Sequence, residues 1–163
     1  MSSQQLHIYS DGGYFEKKDM GGWAFVIYAD NKELYRHSGW QKQTSSLEME
    51  LMAALQALEH LAEKPGQQLT QLNLNKPTIL FTDSRIIIEG LMDKYPIWCK
   101  NQWRVKSGKT VIYKELWQKL SKLTSELNIK WQWVKAHNGI EGNTLADALA
   151  RQAMTQSTPQ LNC

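Results

Sequence analysis

The chain has little cysteine, no long apolar run and only a slight excess of one charge. Its two cysteines, Cys99 and Cys163, stand far apart and form no C-x-x-C pair. That spacing excludes a disulfide-stapled scaffold or a thiolate zinc site and suits a reducing, cytoplasmic setting. No stretch is long and apolar enough to span a bilayer, and MSSQQLHIYS lacks the apolar core of a signal peptide, so no membrane role is expected. The net charge of +3 is below what a strong nucleic-acid footprint would give. Internal repeats and domain linkers are missing as well. What remains is 163 residues, 42% hydrophobic and 10% aromatic, enough for one domain with a real core. That domain is expected over residues 1–155, with 156–163 as a flexible tail.

The opening LHIYSDGG, residues 6–13, is an apolar strand that stops at a carboxylate and two glycines. Alternation puts Leu6 and Ile8 on one face and His7, Tyr9 and Asp11 on the other. Asp-Gly is also a common hairpin-turn dipeptide, so Asp11 reads equally as a turn residue. A charged connector, YFEKKDM, leads to two further strands, WAFVIYAD and KELYRHSGWQ, with a tight turn at Asp30-Asn31. Three strands with short connections make an antiparallel meander.

The period then changes. Residues 45–64 carry Leu47, Leu51, Ala54, Leu58 and Leu61 at helical spacing. At about 100° per residue, Glu50 falls on that apolar face and Glu48 on the polar one. A carboxylate among Ala and Leu is costly unless a cation or metal meets it; otherwise it must reach solvent at the edge of the stripe. A loop bounded by Pro65 and Pro77 precedes TILFTDS, a second strand ending in a carboxylate, Asp83. Asp83 or Ser84 could equally cap the next helix, RIIIEGLMDK, which Tyr95-Pro96 should end. Strands separated by helices should join the sheet in parallel.

From Lys94 to Lys114 the chain is basic, with Lys100, Arg104, Lys106 and Lys109 interleaved with Trp98 and Trp103. This is either a solvated face with tryptophans tucked into the core or a cationic aromatic arm for a phosphate backbone. Residues 111–127 predict an amphipathic helix, 128–137 a strand ending in His137, and 144–154 a last helix with Asp147 in its first turn. Thr144 and Asp147 also fit a capping box.

Asp11, Glu50, Asp83 and Asp147 could share one cleft at the carboxyl ends of the parallel strands. Like charges there would raise one another's pKa values, so cations are needed to keep them ionised. All-oxygen ligands suit Mg²⁺ or Mn²⁺, and two such ions about 3.5–4 Å apart are the usual apparatus of phosphodiester hydrolysis.

Asp11 in SDGG, Glu50 in EMELMAAL, Asp83 in TDS, and His137 and Asp147 in VKAHNGIEGNTLADALA resemble type 1 ribonuclease H in order and setting. The resemblance runs from Leu6 to about Met154. It implies an α/β fold with a five-stranded mixed sheet, an antiparallel meander plus two parallel strands, flanked by helices. It also implies a metal-dependent endonuclease that cuts the RNA strand of an RNA–DNA hybrid, leaving 3′-hydroxyl and 5′-phosphate ends. In that setting Asp11 would bridge two Mg²⁺ ions, Glu50 and Asp83 would complete one site and Asp147 the other. Mn²⁺ could substitute. His137 would shuttle protons or help product leave; as a lone loop histidine it could also be structural.

For the nucleic acid, the resemblance points to Trp98, Lys100, Trp103 and Lys106 on a basic protrusion gripping the DNA strand. Ser45 and Ser46 would meet backbone and minor groove, and Gly12, Gly13, Arg85 and Asn143 would add contacts. Tyr113 stands where the family commonly has a phosphate-contacting asparagine, and Thr144 where it has a glutamate. A monomer is expected. The competing readings are a non-catalytic hybrid- or duplex-binding module, which an intact carboxylate set disfavours, and a related nuclease acting on another duplex.

Overall fold

The computed structural model describes residues 5–63 and 76–156. The loop from Pro65 to Asn75 and the tail after Gln156 lie outside the described residues. Strands β1 (Leu6–Phe15), β2 (Met20–Ala29) and β3 (Lys32–Lys42) form the expected meander, followed by α1 (Ser46–Glu63). Next come β4 (Thr78–Thr82), α2 (Arg85–Glu89), α3 (Tyr95–Lys100), α4 (Lys114–Glu126), β5 (Ile129–Trp133) and α5 (Glu141–Gln156). The five-stranded sheet has the order β3-β2-β1-β4-β5. β1–β2 and β2–β3 pair antiparallel, β1–β4 and β4–β5 parallel.

Residue parity assigns the layers. Leu6 and Ile8 join Phe25, Ile27 and Leu80 in a core shared with Leu51, Ala54 and Leu58 of α1 and with Trp117 and Leu120 of α4. Each buried aliphatic or aromatic side chain there contributes about 1.5–3 kcal/mol. Tyr9 and Gly13, of opposite parity, meet Gly142 and Met154 of α5, so α5 covers the other face. Asp11 shares their parity.

Several boundaries differ from the sequence expectation. The glycines after Asp11 make no turn: β1 continues through Asp11, Gly12 and Gly13, paired with Ala24, Trp23 and Gly22. The chain reverses at residues 16–19 instead, where Asp19 takes a left-handed conformation and its carboxylate accepts a hydrogen bond from the Tyr14 hydroxyl. Parallel pairing with β4 nevertheless stops at Tyr9, so Asp11 does lie just past the end of the parallel ladder. Tyr95-Pro96 does not end its helix. A π turn over Gly90–Lys94 joins α2 to α3, and Pro96 sits in the first turn of α3, where a missing N–H costs least.

The helix expected from Val111 starts at Lys114, because Val111 N–H is already bonded to the Trp103 carbonyl at 2.8 Å. The basic tip closes there as a small hairpin, with Arg104 bridged to Thr110. β5 stops at Trp133, so His137 lies in the following loop at φ 57° rather than on the strand. Finally, α5 begins at Glu141 and Thr144 N–H bonds the Ile140 carbonyl at 2.9 Å. The Thr144–Asp147 capping box therefore does not form, and Asp147 lies in the second turn.

Candidate active site

Three carboxylates converge as the hydrophobic pattern implies. One oxygen each from Asp11, Glu50 and Asp83 lies within 4.8 Å of the other two. Asp11 arrives on the central strand, Asp83 as the first residue beyond β4, and Glu50 on the first turns of α1. Ser45 sets the start of that helix, its Oγ accepting from Glu48 N–H at 3.1 Å. Glu48 faces away and accepts from Thr44 Oγ1 at 2.6 Å, the separation that the helical wheel gives.

Gly12 brings Glu50 in. A Cβ at position 12 would stand 2.3 Å from the Met49 carbonyl carbon and 2.4 Å from the Glu50 nitrogen, so only glycine admits α1 this close to β1. The Gly12 backbone also acts on the Glu50 carboxylate, favouring its ionised form against the larger effect of burial.

The electrostatics are those of a cluster short of positive charge. Asp11 and Glu50 are 5% and 8% exposed. Burial, then the neighbouring Asp83 and Asp147, push Asp11 up to about 8. Burial followed by the charges of Asp11 and Asp83 raises Glu50 well above the carboxylate range. Asp83 is raised too, first by burial, with the hydrogen bond from Asp11 and the charge of His137 acting against it. Glu50 Oε2 is buried without a hydrogen-bond partner, an arrangement that costs free energy unless a cation meets it. An all-oxygen donor set with a buried unpartnered oxygen fits a hard divalent ion.

Asp147 lines the same cavity, about 660 Å³, with Asp11, Glu50 and Asp83. It stands outside the close trio and pairs with Arg151 one turn on, at 3.2 Å. Arg151 and Lys18, which also line the cavity, were not singled out in the sequence; the i, i+4 spacing of Asp147 and Arg151 was the available signal. His137 is exposed.

The other sequence candidates divide into outside and inside. Ser46, Arg85, Lys100 and Lys106 are exposed, and Ser45 is half-buried. Trp103 is 7% exposed, its ring 5.0 Å from Tyr95 and 5.4 Å from Trp98. It is a strut inside the basic arm and offers no face to a base. Trp98 is half-buried, 5.2 Å from Trp117. Asn143 is 3% exposed, within the first turn of α5, with its Oδ1 buried and without a hydrogen-bond partner. Gly12 serves α1, while Gly13 is open to the cavity. Among the described residues, no helix is long and apolar enough to cross a membrane.

Comparison with known proteins gives the same answer. The family model described as RNase H matches residues 3–155. A ribonuclease H of Cyanothece sp. is 32% identical over 161 residues, covering 99% of this chain and 96% of its own. One of Xanthomonas campestris is 35% identical over 154 residues, covering 94% and 95%. Among solved structures, LC9-RNase H1, a type 1 RNase H with the type 2 active-site motif, superposes with a TM-score of 0.75 at 22% identity. It covers 97% of this chain and 75% of its own. LC11-RNase H1 in complex with RNA/DNA hybrid gives 0.68 at 21%, covering 93% and 98%. Sequence, sheet order and carboxylate cluster agree, and the chain belongs to the ribonuclease H family as a type 1 enzyme.

Proposed function

We propose that this nuclease hydrolyses the RNA strand of RNA–DNA hybrids endonucleolytically, using two divalent cations, Mg²⁺ or Mn²⁺ in its place, and leaves 3′-hydroxyl and 5′-phosphate ends. The observation that carries this reading is the buried trio of Asp11, Glu50 and Asp83 with Glu50 Oε2 unpartnered. Asp11 would serve both ions, with Glu50 and Asp83 completing one site and Asp147 the other. When bound, such ions polarise the scissile phosphate and supply a nucleophilic water.

The residues of the chain do the rest. Gly12 lets α1 approach β1 and so brings Glu50 to the cluster, and Arg151 balances the charge of Asp147. His137, whose charge acts on Asp83, moves protons or helps product leave. The exposed Lys100, Arg104, Lys106 and Lys109 neutralise phosphates of the DNA strand, with Trp98 beside them and Trp103 bracing the arm. Ser45, Ser46, Gly13 and Arg85 border the groove side, where shape and 2′-hydroxyls are read with little base specificity. The similar LC11-RNase H1 has been solved with such a hybrid, which supports the substrate. The enzyme acts as a monomer in the cytoplasm.

Strand-labelled RNA–DNA, RNA–RNA and DNA–DNA duplexes, each with Mg²⁺, Mn²⁺ or EDTA, test the proposal. Cleavage confined to the RNA of the hybrid and lost in EDTA is expected. Binding without metal-dependent cleavage, or cleavage of duplex DNA, would overturn it.

A further inference from the structure

An arginine two residues from a cluster of buried carboxylates is a ready counter-ion for it. Yet the guanidinium carbon of Arg85 lies over the Trp133 ring, 4.2 Å from the centroid. Trp133 is the last residue of β5, paired with Thr82. Its indole N–H donates to the backbone carbonyl of Asp83 at 3.2 Å, at the point where β4 has ended. Two further hydrogen bonds hold the same turn: Ser84 N–H donates to Thr82 Oγ1 at 3.1 Å, and Ile87 N–H to Ser84 Oγ at 3.4 Å. Trp133 thus touches both the peptide that carries the Asp83 carboxylate and the guanidinium two residues further along the chain.

Resting on the reading of the cluster as a metal site, we propose that Trp133 is a positioning residue with two separable tasks. Its N–H fixes the Asp83 peptide. Its ring holds Arg85 off the Asp83 carboxylate, so that the cluster stays open to a divalent cation instead of being neutralised by its own chain. A guanidinium tethered two residues away competes at high effective concentration, whereas an aromatic face gives it a favourable resting place without consuming the carboxylate. A notch of about 170 Å³ bounded by Arg85, Ile88, Glu89 and Trp133 leaves the side chain room to occupy that place.

The test is Mn²⁺ binding by the full chain, followed by the electron-spin-resonance signal of free Mn²⁺, with no substrate present. Trp133→Leu should weaken binding about tenfold, the scale of losing one cation–π contact in favour of an ion pair. Adding Arg85→Gln should recover most of that loss. Trp133→Phe keeps a ring and loses the N–H, so its smaller loss should not be recovered by Arg85→Gln. A Trp133→Leu chain that binds Mn²⁺ like the parent, or whose loss Arg85→Gln leaves intact, overturns the shielding role.

A second measurement needs neither metal nor variant. In the metal-free parent the Nε–H resonance of Arg85 should carry an upfield ring-current shift, and its absence overturns the proposal. A parent that shows this shift but binds no Mn²⁺ would refute the metal reading while leaving the Arg85–Trp133 contact established.

Discussion

The hydroxyls of Ser45 and Tyr113 stand 2.7 Å apart, joining the cap of α1 to the residue that opens α4. Tyr113 pays backbone strain to be there. It sits at φ 59°, ψ 33°, a left-handed conformation that costs a residue with a Cβ roughly 1–2 kcal/mol. Tyr113→Phe removes only the bond and should lower stability by about 1 kcal/mol, or about 2–4 °C for a chain of this size. Ser45→Ala also removes the acceptor for Glu48 N–H and should cost more. Denaturant unfolding of both variants and of the double variant measures the coupling, and additive losses would show that the pair contributes nothing.

Gly12→Ala should be far more damaging than its single methyl suggests. The atoms it meets at 2.3–2.6 Å are backbone atoms of Met49 and Glu50, which cannot rotate away as a side chain can. The start of α1 must lift off β1 and take Glu50 with it. A loss of about 1–3 kcal/mol is expected from overpacking, together with weaker Mn²⁺ binding. Gly13→Ala, with only Met154 Cε nearby at 3.6 Å, should be mild in thermal unfolding, and equal effects at the two positions would contradict this account.

The residues that were legible were those fixed by local period. Glu50 could be assigned to the apolar face because the leucines of α1 define that face, and the trio follows once Asp11 and Asp83 both stand just past the parallel ladder of β1 and β4. Non-local pairing was not legible. Asp-Gly-Gly looks like a turn until β2 supplies Ala24, Trp23 and Gly22 as partners. Thr144 looks like a cap until the Ile140 carbonyl takes its N–H. Nor does a tryptophan in a basic segment declare whether it faces a base or Tyr95; Trp103 turned inward because α3 and α4 offered it a wall of rings.

Without metal, stability should fall as pH rises. Asp11 moves from its ordinary 3.8 to about 8 in the folded chain, and Glu50 and Asp83 move in the same direction. A carboxyl raised on folding binds its proton more tightly in the folded state. Its contribution is therefore complete below the unfolded value and is lost as pH rises through the folded one. In EDTA the melting temperature should decline between pH 4 and 8 relative to a chain lacking the cluster. A divalent ion competes with those protons, so the rise in melting temperature on adding Mg²⁺ should be larger at pH 8 than at pH 6. A gain independent of pH would show that the ion binds elsewhere.

Asp11→Asn and Asp147→Asn should both abolish cleavage of a labelled hybrid in Mg²⁺, and parental rates in either would overturn the site assignment. The two should part company in EDTA. Asp11 is buried among like charges, so its amide removes a charge that the metal-free fold struggles to hold. A gain of about 1 kcal/mol or more at neutral pH, about 2–4 °C, is expected. Asp147 has a side chain 30% exposed and an Arg151 partner at 3.2 Å, so its amide loses a surface pair worth about 0–1 kcal/mol while relieving its repulsion of Asp11 and Asp83. Its melting temperature in EDTA should rise less than that of Asp11→Asn. Equal stabilisation by both substitutions would mean that Asp147 carries as much of the buried charge as Asp11 does, contrary to its place outside the close trio.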